Sequence, residues 1–231
     1  MEARLSLPPR LRAVARAVLP NRPMADIGTD HARLPAWLVH SATVPRAIAC
    51  DVAEGPLAHA RRTLLAFPEL AIELRAGSGL SPISPGEVGT CVLAGMGGAL
   101  MRELVDASPT VTASLDRLVL QPNTDWPSTR AWIAAHAWTL VDEQIVQDRR
   151  HHYLVLVVDP RTPASPNWST DDLELGPLLR HRRDESWHAW LHARIRHEER
   201  ALARARAALP DCDPRVRALA SALDRLRARV S

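Results

Sequence analysis

The stretch MADIGTDHARLP, residues 24–35, decides how the rest of the chain is interpreted. Its apolar opening and Gly28 predict a buried strand that runs into a tight turn, the usual start of a nucleotide-binding fold. Asp26, however, stands near the strand end, and Asp30 and Ala32 occupy positions where a phosphate-binding loop would carry further glycines. A carboxylate at this point would repel phosphates. The stretch therefore favours a ligand that is cationic and carries no phosphate.

Apolar runs alternate with helical patterns across the first two thirds of the chain. The runs are short and several end at Gly, Asp or Asn, as buried parallel strands do. The last two are separated by a short polar stretch and predict an antiparallel hairpin. We therefore expect an α/β fold: a Rossmann-like, seven-stranded, mostly parallel sheet that ends in an antiparallel hairpin. The predicted strands are PMADIGT, RAIACDV, AIELRAG, TCVLAGM, DRLVLQPN, TLVDEQIVQ and HHYLVLVVD.

The remaining third has a different pattern. Residues 161–176 are rich in Pro, Ser and Asp and predict a linker between a domain over residues 1–160 and a helical tail over residues 177–231. One helix is expected to reach about Leu209, and the PDCDP segment ends it. A second helix follows, with Asp213 as its cap and an apolar seam typical of a coiled coil. The seam residues are Val216, Leu219, Leu223, Leu226 and Val230.

Charge is distributed unevenly along the chain. Arginine accounts for all 29 basic residues, which a GC-rich genome would explain without any nucleic acid. Residues 177–231, however, hold 13 arginines against seven acidic residues, whereas the rest of the chain carries a net charge of −3. This basic tail suggests a polyanionic partner, although Glu198 and Glu199 are alternative partners for its arginines.

S-adenosylmethionine fits the opening stretch, because it carries a sulfonium and an ammonium but no phosphate. Asp26 is the candidate for its ammonium, and Gly28 lets the backbone pass close to the ligand. Asp51 ends the second strand and is the candidate for the ribose hydroxyls. The GSG segment around Ser78 ends the third strand, where the adenine would lie. A plain tight turn at Gly28 and a helix cap at Asp51 are the alternatives.

Three blocks, MADIGTDHARLP, AGMGGALM and LVLQPN, resemble the bacterial tRNA (adenine-N1)-methyltransferases of the TrmK type, and the likeness covers nearly the whole chain. That family is similar in plan, with a class I methyltransferase domain followed by a helical coiled-coil tail. The resemblance implies methyl transfer from S-adenosylmethionine to N1 of an adenine at tRNA position 22. At the end of the third strand the family's motif resembles Gly-Asp-Gly, but this chain has Ser78 in place of the acidic residue. The serine hydroxyl carries no charge, so the expected contact with the adenine of the cofactor is weaker.

The resemblance also assigns roles to individual residues. Asp26, Gly28, Asp30 and His31 would line the methionine side of the cofactor, and Asp51 would hold the ribose. The transfer site would be lined by residues of the fourth and fifth strand ends. They are Gly95, Met96, Gly97 and Gly98, with Gln121, Pro122 and Asn123 beside them.

Other interpretations of these residues stay open at this point. Asn123 could instead cap the following helix, and Tyr153, the only tyrosine, could stack on the target base or belong to the core. Asp30 and His31 could form an acid–base pair, a metal fragment or a simple turn. Because N1 of adenine offers an in-plane lone pair, no catalytic base is assigned, and no metal is expected. Trp187 and Trp190 are expected to pack as core residues against the domain, and base stacking is the alternative.

The sequence therefore predicts a tRNA adenine-N1 methyltransferase, with two rivals. One is a small-molecule methyltransferase, and the other is a non-catalytic RNA-binding protein that has lost cofactor use through Ser78. Arginine interrupts the apolar positions of the first 20 residues, which predict a short amphipathic helix and no signal-peptide core. Three widely spaced cysteines fit a reduced cytoplasm. We expect a monomer, with a dimer as the alternative.

Overall fold

The computed structural model describes residues 5–229 and confirms the predicted fold class. Seven strands form one sheet in the order β3-β2-β1-β4-β5-β7-β6. The first five strands pair in parallel, and β7 pairs antiparallel with both β5 and β6. The strands are β1 (Met24–Ile27), β2 (Ala47–Asp51), β3 (Ile72–Ala76), β4 (Thr90–Met96), β5 (Arg117–Pro122), β6 (Trp138–Asp148) and β7 (His151–Pro163).

Helices connect the parallel strands, with one difference from the expected alternation. Residues 77–89, all of them described, join β3 to β4 by turns and contain no helix. Turn residues dominate this segment, which includes Gly77, Gly79 and two prolines, so it cannot sustain a helix. The helices are α1 (Pro9–Ala17), α2 (Arg33–His40), α3 (Glu54–Leu64), α4 (Gly98–Asp106), α5 (Pro109–Ser114) and α6 (Trp126–Ala135), then α7 (Thr170–Leu175), α8 (Leu179–Arg182), α9 (Glu185–Ala208) and α10 (Pro214–Arg227).

The central strands are buried on both faces, as a parallel sheet covered by helices requires. Helix α1, the predicted amphipathic helix, buries Ala13, Val14 and Ala17 against the sheet. Residues 1–4, which also belonged to the segment predicted to begin with this helix, lie outside the described part of the chain. No helix among the described residues is long and apolar enough to cross a membrane.

The segment predicted to be a linker, residues 161–176, contains the end of β7 and helix α7. A buried ion pair holds this region in place, because Arg130 Nε lies 3.0 Å from Glu143 Oε2 and both side chains are fully buried. Arg130 also donates to the Leu173 carbonyl over 2.8 Å, and the Leu178 amide donates to Glu143 over 2.7 Å. The domain bounds proposed from the sequence stay a prediction.

The chain forms two compact units, one up to Leu178 and one from Leu179 onwards. Before the PDCDP segment one continuous helix was expected, but two helices, α8 and α9, are found there. Arg183 adopts a left-handed conformation with φ of 46°, and the Asp184 side chain accepts the Trp187 amide and starts α9 anew. Asp213 caps α10 as expected, by accepting the Arg215 amide over 2.9 Å.

Helices α9 and α10 pack together as a helical hairpin. Trp187 and Trp190 are buried, in agreement with the expected core role. The seam residues Val216, Leu223 and Leu226 are buried and Leu219 is half-buried. Val230, also predicted in the seam, lies outside the described residues.

The three cysteines are in contrasting places. Cys50 in β2 and Cys91 in β4 are buried, whereas Cys212 is exposed between α9 and α10. Burial raises the pKa of the Cys50 thiol to about 12, and it raises the pKa of Cys91 as well. All three thiols are free.

Candidate active site

The ends of β1, β2 and β3 lie side by side and bring the predicted cofactor residues to one edge of the sheet. The Gly28 amide donates to the Cys50 carbonyl over 2.9 Å, and the Gly77 amide donates to the Asp51 carbonyl over 3.0 Å. Parallel strands place their carboxyl ends at the same edge, and ligands of such folds bind there. The acids and glycines selected from the sequence therefore meet at this edge.

A cavity of about 220 Å³ opens at the end of β1. It collects four of the predicted cofactor residues, Asp26, Gly28, Asp30 and His31. Asp51 and Ser78 do not line this cavity; Asp51 ends the neighbouring strand β2, and Ser78 follows β3, the strand beyond it. Arg10 of α1 lines it as well, a position that could not be predicted from the sequence, because Arg10 is one of several arginines in an amphipathic pattern.

Asp26 is the buried charge of the cavity, with only 8 % of its surface exposed. Burial raises the pKa of its carboxyl to about 6, and the nearby Asp51 charge acts in the same direction. Thr29 and Arg10 oppose that shift but do not cancel it. A carboxylate held in this way gains stability from a cation that enters the cavity.

Gly28 has φ of 77°, a conformation that favours glycine. A Cβ atom at this position would lie 2.7 Å from Met96 Cε, so the glycine also brings the ends of β1 and β4 into close contact. The interpretation of Gly28 as a point of close approach is therefore supported, although a ligand contact stays a prediction.

Asp51 is half-buried, and its Oδ1 accepts the Ala53 amide over 2.9 Å. Ala53 precedes α3, so the helix-cap alternative describes part of what Asp51 does. Among residues 5–229, no donor bonds the other carboxylate oxygen, which is the atom available to a ligand. Ser78, after β3, is exposed, and its carbonyl accepts from the Ser81 hydroxyl over 2.8 Å.

Asp30 lies between two histidines. Its carboxylate oxygens are 3.1 Å from His31 Nε2 and 3.3 Å from His59 Nδ1, and the two imidazole rings stack with centroids 4.8 Å apart. The ligand atoms of all three residues lie within 4.8 Å of one another, close enough to share a metal ion. His59 lies on α3, and its distance along the chain from Asp30 explains why the sequence did not reveal it.

The glycine-rich residues predicted for the transfer site lie at the end of β4. The register of β4 against β5 shifts between Ala94 and Met96, and Gly95 within this irregularity has φ of 84°. Gly97 precedes α4 and Gly98 begins it. A Cβ atom on Gly98 would lie 2.6 Å from Thr129 Oγ1 and 2.7 Å from the Thr124 carbonyl, so only glycine fits this crossing.

Three side chains form a continuous row of hydrogen bonds that reaches the transfer site. Arg10 donates to Gln121 Oε1 over 2.5 Å, and Gln121 Nε2 donates to Asn123 Oδ1 over 3.1 Å. Asn123 Nδ2 then donates to the Gly95 carbonyl over 2.8 Å. The Asn123 side chain therefore uses its oxygen and one of its two N–H groups within the protein. The second N–H of its amide is the group that could reach a substrate.

This row changes the roles expected of two residues. Gln121 is fully buried with both ends of its amide occupied, so it supports Asn123 and does not face a substrate. Asn123 is exposed and does not cap α6, because Asp125 occupies the cap position and no side chain caps that helix. The helix-cap alternative for Asn123 is therefore wrong. Pro122 is the residue paired with Met96 in the sheet.

Comparisons with known proteins agree with this geometry. A model of the methyltransferase-domain family matches residues 7–156. The chain is 36% identical to the tRNA (adenine(22)-N(1))-methyltransferase of Bacillus subtilis over 156 residues, which is 67% of this chain and 66% of that protein, just under two thirds of its length. The Bacillus subtilis structure of the m1A22 tRNA methyltransferase TrmK superposes with a TM-score of 0.81 at 28% identity, covering 99% of this chain and all of that one.

A Streptococcus pneumoniae protein solved in complex with S-adenosyl-L-methionine superposes with a TM-score of 0.84 at 27% identity, covering 96% of this chain and 98% of that one. Together these findings confirm the resemblance that the three sequence blocks suggested. The chain belongs to the methyltransferase-domain family, and its similarity extends over most of its length to the bacterial tRNA (adenine-N1)-methyltransferases.

Proposed function

We propose that this chain transfers a methyl group from S-adenosylmethionine to N1 of an adenine in tRNA, at position 22. The observation that carries the proposal is the buried carboxylate of Asp26 in a cavity at the end of β1, one strand away from Asp51. This arrangement fits a cationic, phosphate-free ligand with ribose hydroxyls. Position 22 comes from the likeness to the Bacillus subtilis enzyme.

The residues present suit the cofactor. Asp26 would accept its ammonium, and the free oxygen of Asp51 would accept from its ribose. Ser78 would offer an uncharged acceptor to its adenine. When bound, S-adenosylmethionine supplies an electrophilic methyl group.

Methyl transfer to N1 does not require the protein to remove a proton from the adenine. The in-plane lone pair of N1 forms the new bond to the methyl carbon as the carbon–sulfur bond breaks, and positive charge passes to the adenine. Catalysis then depends on placing the base in line with the methyl group. Asn123, held by Gly95 and Gln121, can position a base edge with its remaining N–H. A base paired through N1 would first have to leave its stack.

We propose further that the reaction needs no metal and that the enzyme acts as a monomer in the cytoplasm. The lone pair of N1 attacks without activation, so the cluster of Asp30, His31 and His59 is not required for the chemistry. The same activity in the presence and absence of a chelator, together with a monomer mass in solution, would support this part of the proposal.

The decisive experiment incubates the protein with labelled S-adenosylmethionine and total tRNA, then digests the RNA and identifies the labelled nucleoside. The expected product is 1-methyladenosine at one position, which also stops reverse transcription. Label only on an exocyclic amine would contradict the N1 assignment. Transfer to metabolites without RNA would favour a small-molecule methyltransferase, and a lack of cofactor binding would favour a non-catalytic RNA-binding protein.

A further inference from the structure

The turn between β6 and β7 consists of two arginines. Asp148 pairs with His151, so Arg149 and Arg150 form a two-residue hairpin loop. Arg149 has φ of 56°, in the left-handed region. Loops of this length prefer Gly, Asn or Asp where φ is positive, because a larger side chain costs about 1–2 kcal/mol there. Arginine is therefore an unfavourable residue for the conformation of this turn, and its presence at position 149 suggests a role for its charge.

Neither arginine has an acidic partner. Both are exposed, and no carboxylate among residues 5–229 forms an ion pair with either of them. The Gln147 side chain stabilises the turn, since its Nε2 donates to the Arg149 carbonyl over 3.2 Å. Two guanidinium groups are therefore presented at a defined place with their donors available to a ligand.

The two arginines line a cavity of about 430 Å³. Arg10 and Tyr153 line it too, with the Arg10 guanidinium carbon 5.4 Å from the centre of the Tyr153 ring. His151 adds a further donor, and Asp148 contributes a carboxylate. Three arginines beside a half-buried tyrosine ring are typical of a surface that binds single-stranded nucleic acid.

This cavity adjoins the cavity at the end of β1, which is called the cofactor cavity because S-adenosylmethionine is proposed to bind there. Pro8 and Arg10 line both cavities. A nucleotide whose base reaches Asn123 must leave its own phosphates and those of its neighbours outside the cofactor cavity, where Asp26 would repel them. The adjoining cavity is lined by Arg10, Arg149 and Arg150, whose positive charges would attract these phosphates.

We propose that Arg149 and Arg150 bind backbone phosphates of the RNA segment that carries the target adenine, which makes the β6–β7 turn an RNA-binding site of the methyltransferase domain itself. This inference rests on the proposed function, since it takes the RNA substrate from it. Phosphate contacts fix the position of a nucleic acid on a protein and depend steeply on salt.

The test compares two double variants that remove the same charge. The first is Arg149→Gly with Arg150→Ala, and the control is Arg16→Ala with Arg62→Ala, two exposed arginines that also lack acidic partners among the described residues. The measurements are the Kd for unmodified tRNA at several salt concentrations, the Kd for S-adenosylmethionine, and Tm.

The turn variant is expected to bind tRNA at least about tenfold more weakly, and its plot of log K against log salt should be shallower by about 1–2. The control should change each of these far less. Cofactor affinity should be the same in all three proteins. Tm should be unchanged or higher for the turn variant, because glycine relieves the conformation of residue 149, so weaker binding cannot be attributed to unfolding.

An unchanged salt slope in the turn variant, or equal losses in both double variants, would overturn the proposal. Failure of the proposed function looks different: wild-type protein would bind tRNA without methylating it, and the salt slopes of the variants would still decide whether the turn contacts phosphate.

Discussion

The side-chain amide of Asn123 donates a 2.8 Å hydrogen bond to the carbonyl oxygen of Gly95, and so ties the end of β5 to the irregular end of β4. Gln121 donates to the other end of the same amide. The orientation of Asn123 is therefore set by protein groups before any substrate arrives. Such preorganisation is what in-line transfer requires of a positioning residue.

Replacing Asn123 by alanine should lower kcat by about 10–100-fold, since a small misplacement of the base is enough for such a loss. The Kd for S-adenosylmethionine should change less than twofold, because Asn123 does not line the cofactor cavity. Single-turnover methylation and calorimetry would measure the two quantities. Asn167→Ala, at an exposed asparagine, is the matched control, and equal activity in both variants would contradict the positioning role.

Asp26→Asn should separate stability from function. The pKa of Asp26 is raised from 3.8 to about 6, so its ionised form disfavours folding, and the cost appears as pH rises from about 4 to about 6. At pH 8 the cofactor-free variant should be more stable than wild type by up to about 3 kcal/mol. At pH 4 this advantage should vanish. Denaturant unfolding at both values measures it, and a variant that is less stable at pH 8 would contradict the argument.

Cofactor affinity should depend on pH for the same reason. Below about pH 6 the Asp26 carboxyl binds a proton and loses the charge that an ammonium needs. The Kd of the wild type should therefore rise towards tenfold per pH unit as the pH falls below about 6. The Asp26→Asn variant should bind weakly at all pH values and show no such slope. Calorimetry from pH 5 to pH 8 tests this, and parallel pH profiles would assign the dependence to another group.

Asp51→Ala should weaken binding of S-adenosylmethionine by about 10–100-fold, the effect of losing about 1.5–3 kcal/mol from a hydrogen bond to a charged acceptor. The substitution also removes the bond to the Ala53 amide. Asp51→Asn keeps an oxygen for that amide and isolates the loss of charge. The exposed Glu69→Ala is the charge-matched control. Unchanged affinity in both Asp51 variants would mean that the residue only shapes the start of α3.

Gly28→Ala should disturb the cofactor end and the transfer end together. The new methyl group would meet Met96 Cε and would also sit at a positive φ. Gly86 has nearly the same φ, 76°, with nothing within 4 Å, so Gly86→Ala isolates the backbone cost. Both variants should lose about 1–2 kcal/mol of stability through the backbone conformation, and Gly28→Ala should lose more because of the clash and should also bind the cofactor more weakly. Adding Met96→Ala should restore part of the affinity for the cofactor, and an unimproved double variant would contradict the steric explanation.

The strands could be predicted because each is a short apolar run ended by a turn residue, and the hairpin of β6 and β7 followed from the short gap between them. The absence of a helix in residues 77–89 was less visible, since the alternation of the other units suggested one. The break at Arg183 depends on a single left-handed residue and an Asp cap, a local event that the apolar pattern of the helix concealed.

The site was predictable where it follows the strand ends. The meeting of Asp26, Gly28 and Asp51 at one edge of the sheet could be predicted, because parallel topology places successive strand ends together. His59 and Arg10 could not, because they come from helices and reach the site only through packing. Gln121 was assigned to the substrate, but its complete burial shows that a polar residue at a strand end can serve its neighbour instead.

The contrast between the two sheet cysteines and Cys212 has a practical consequence. Alkylating reagents need an accessible thiolate, which burial and a raised pKa deny to Cys50 and Cys91. A maleimide fluorophore should therefore attach to the native protein at Cys212 alone, without any engineered cysteine. Cys212 is thus a native labelling site for single-molecule fluorescence, located in the loop between α9 and α10.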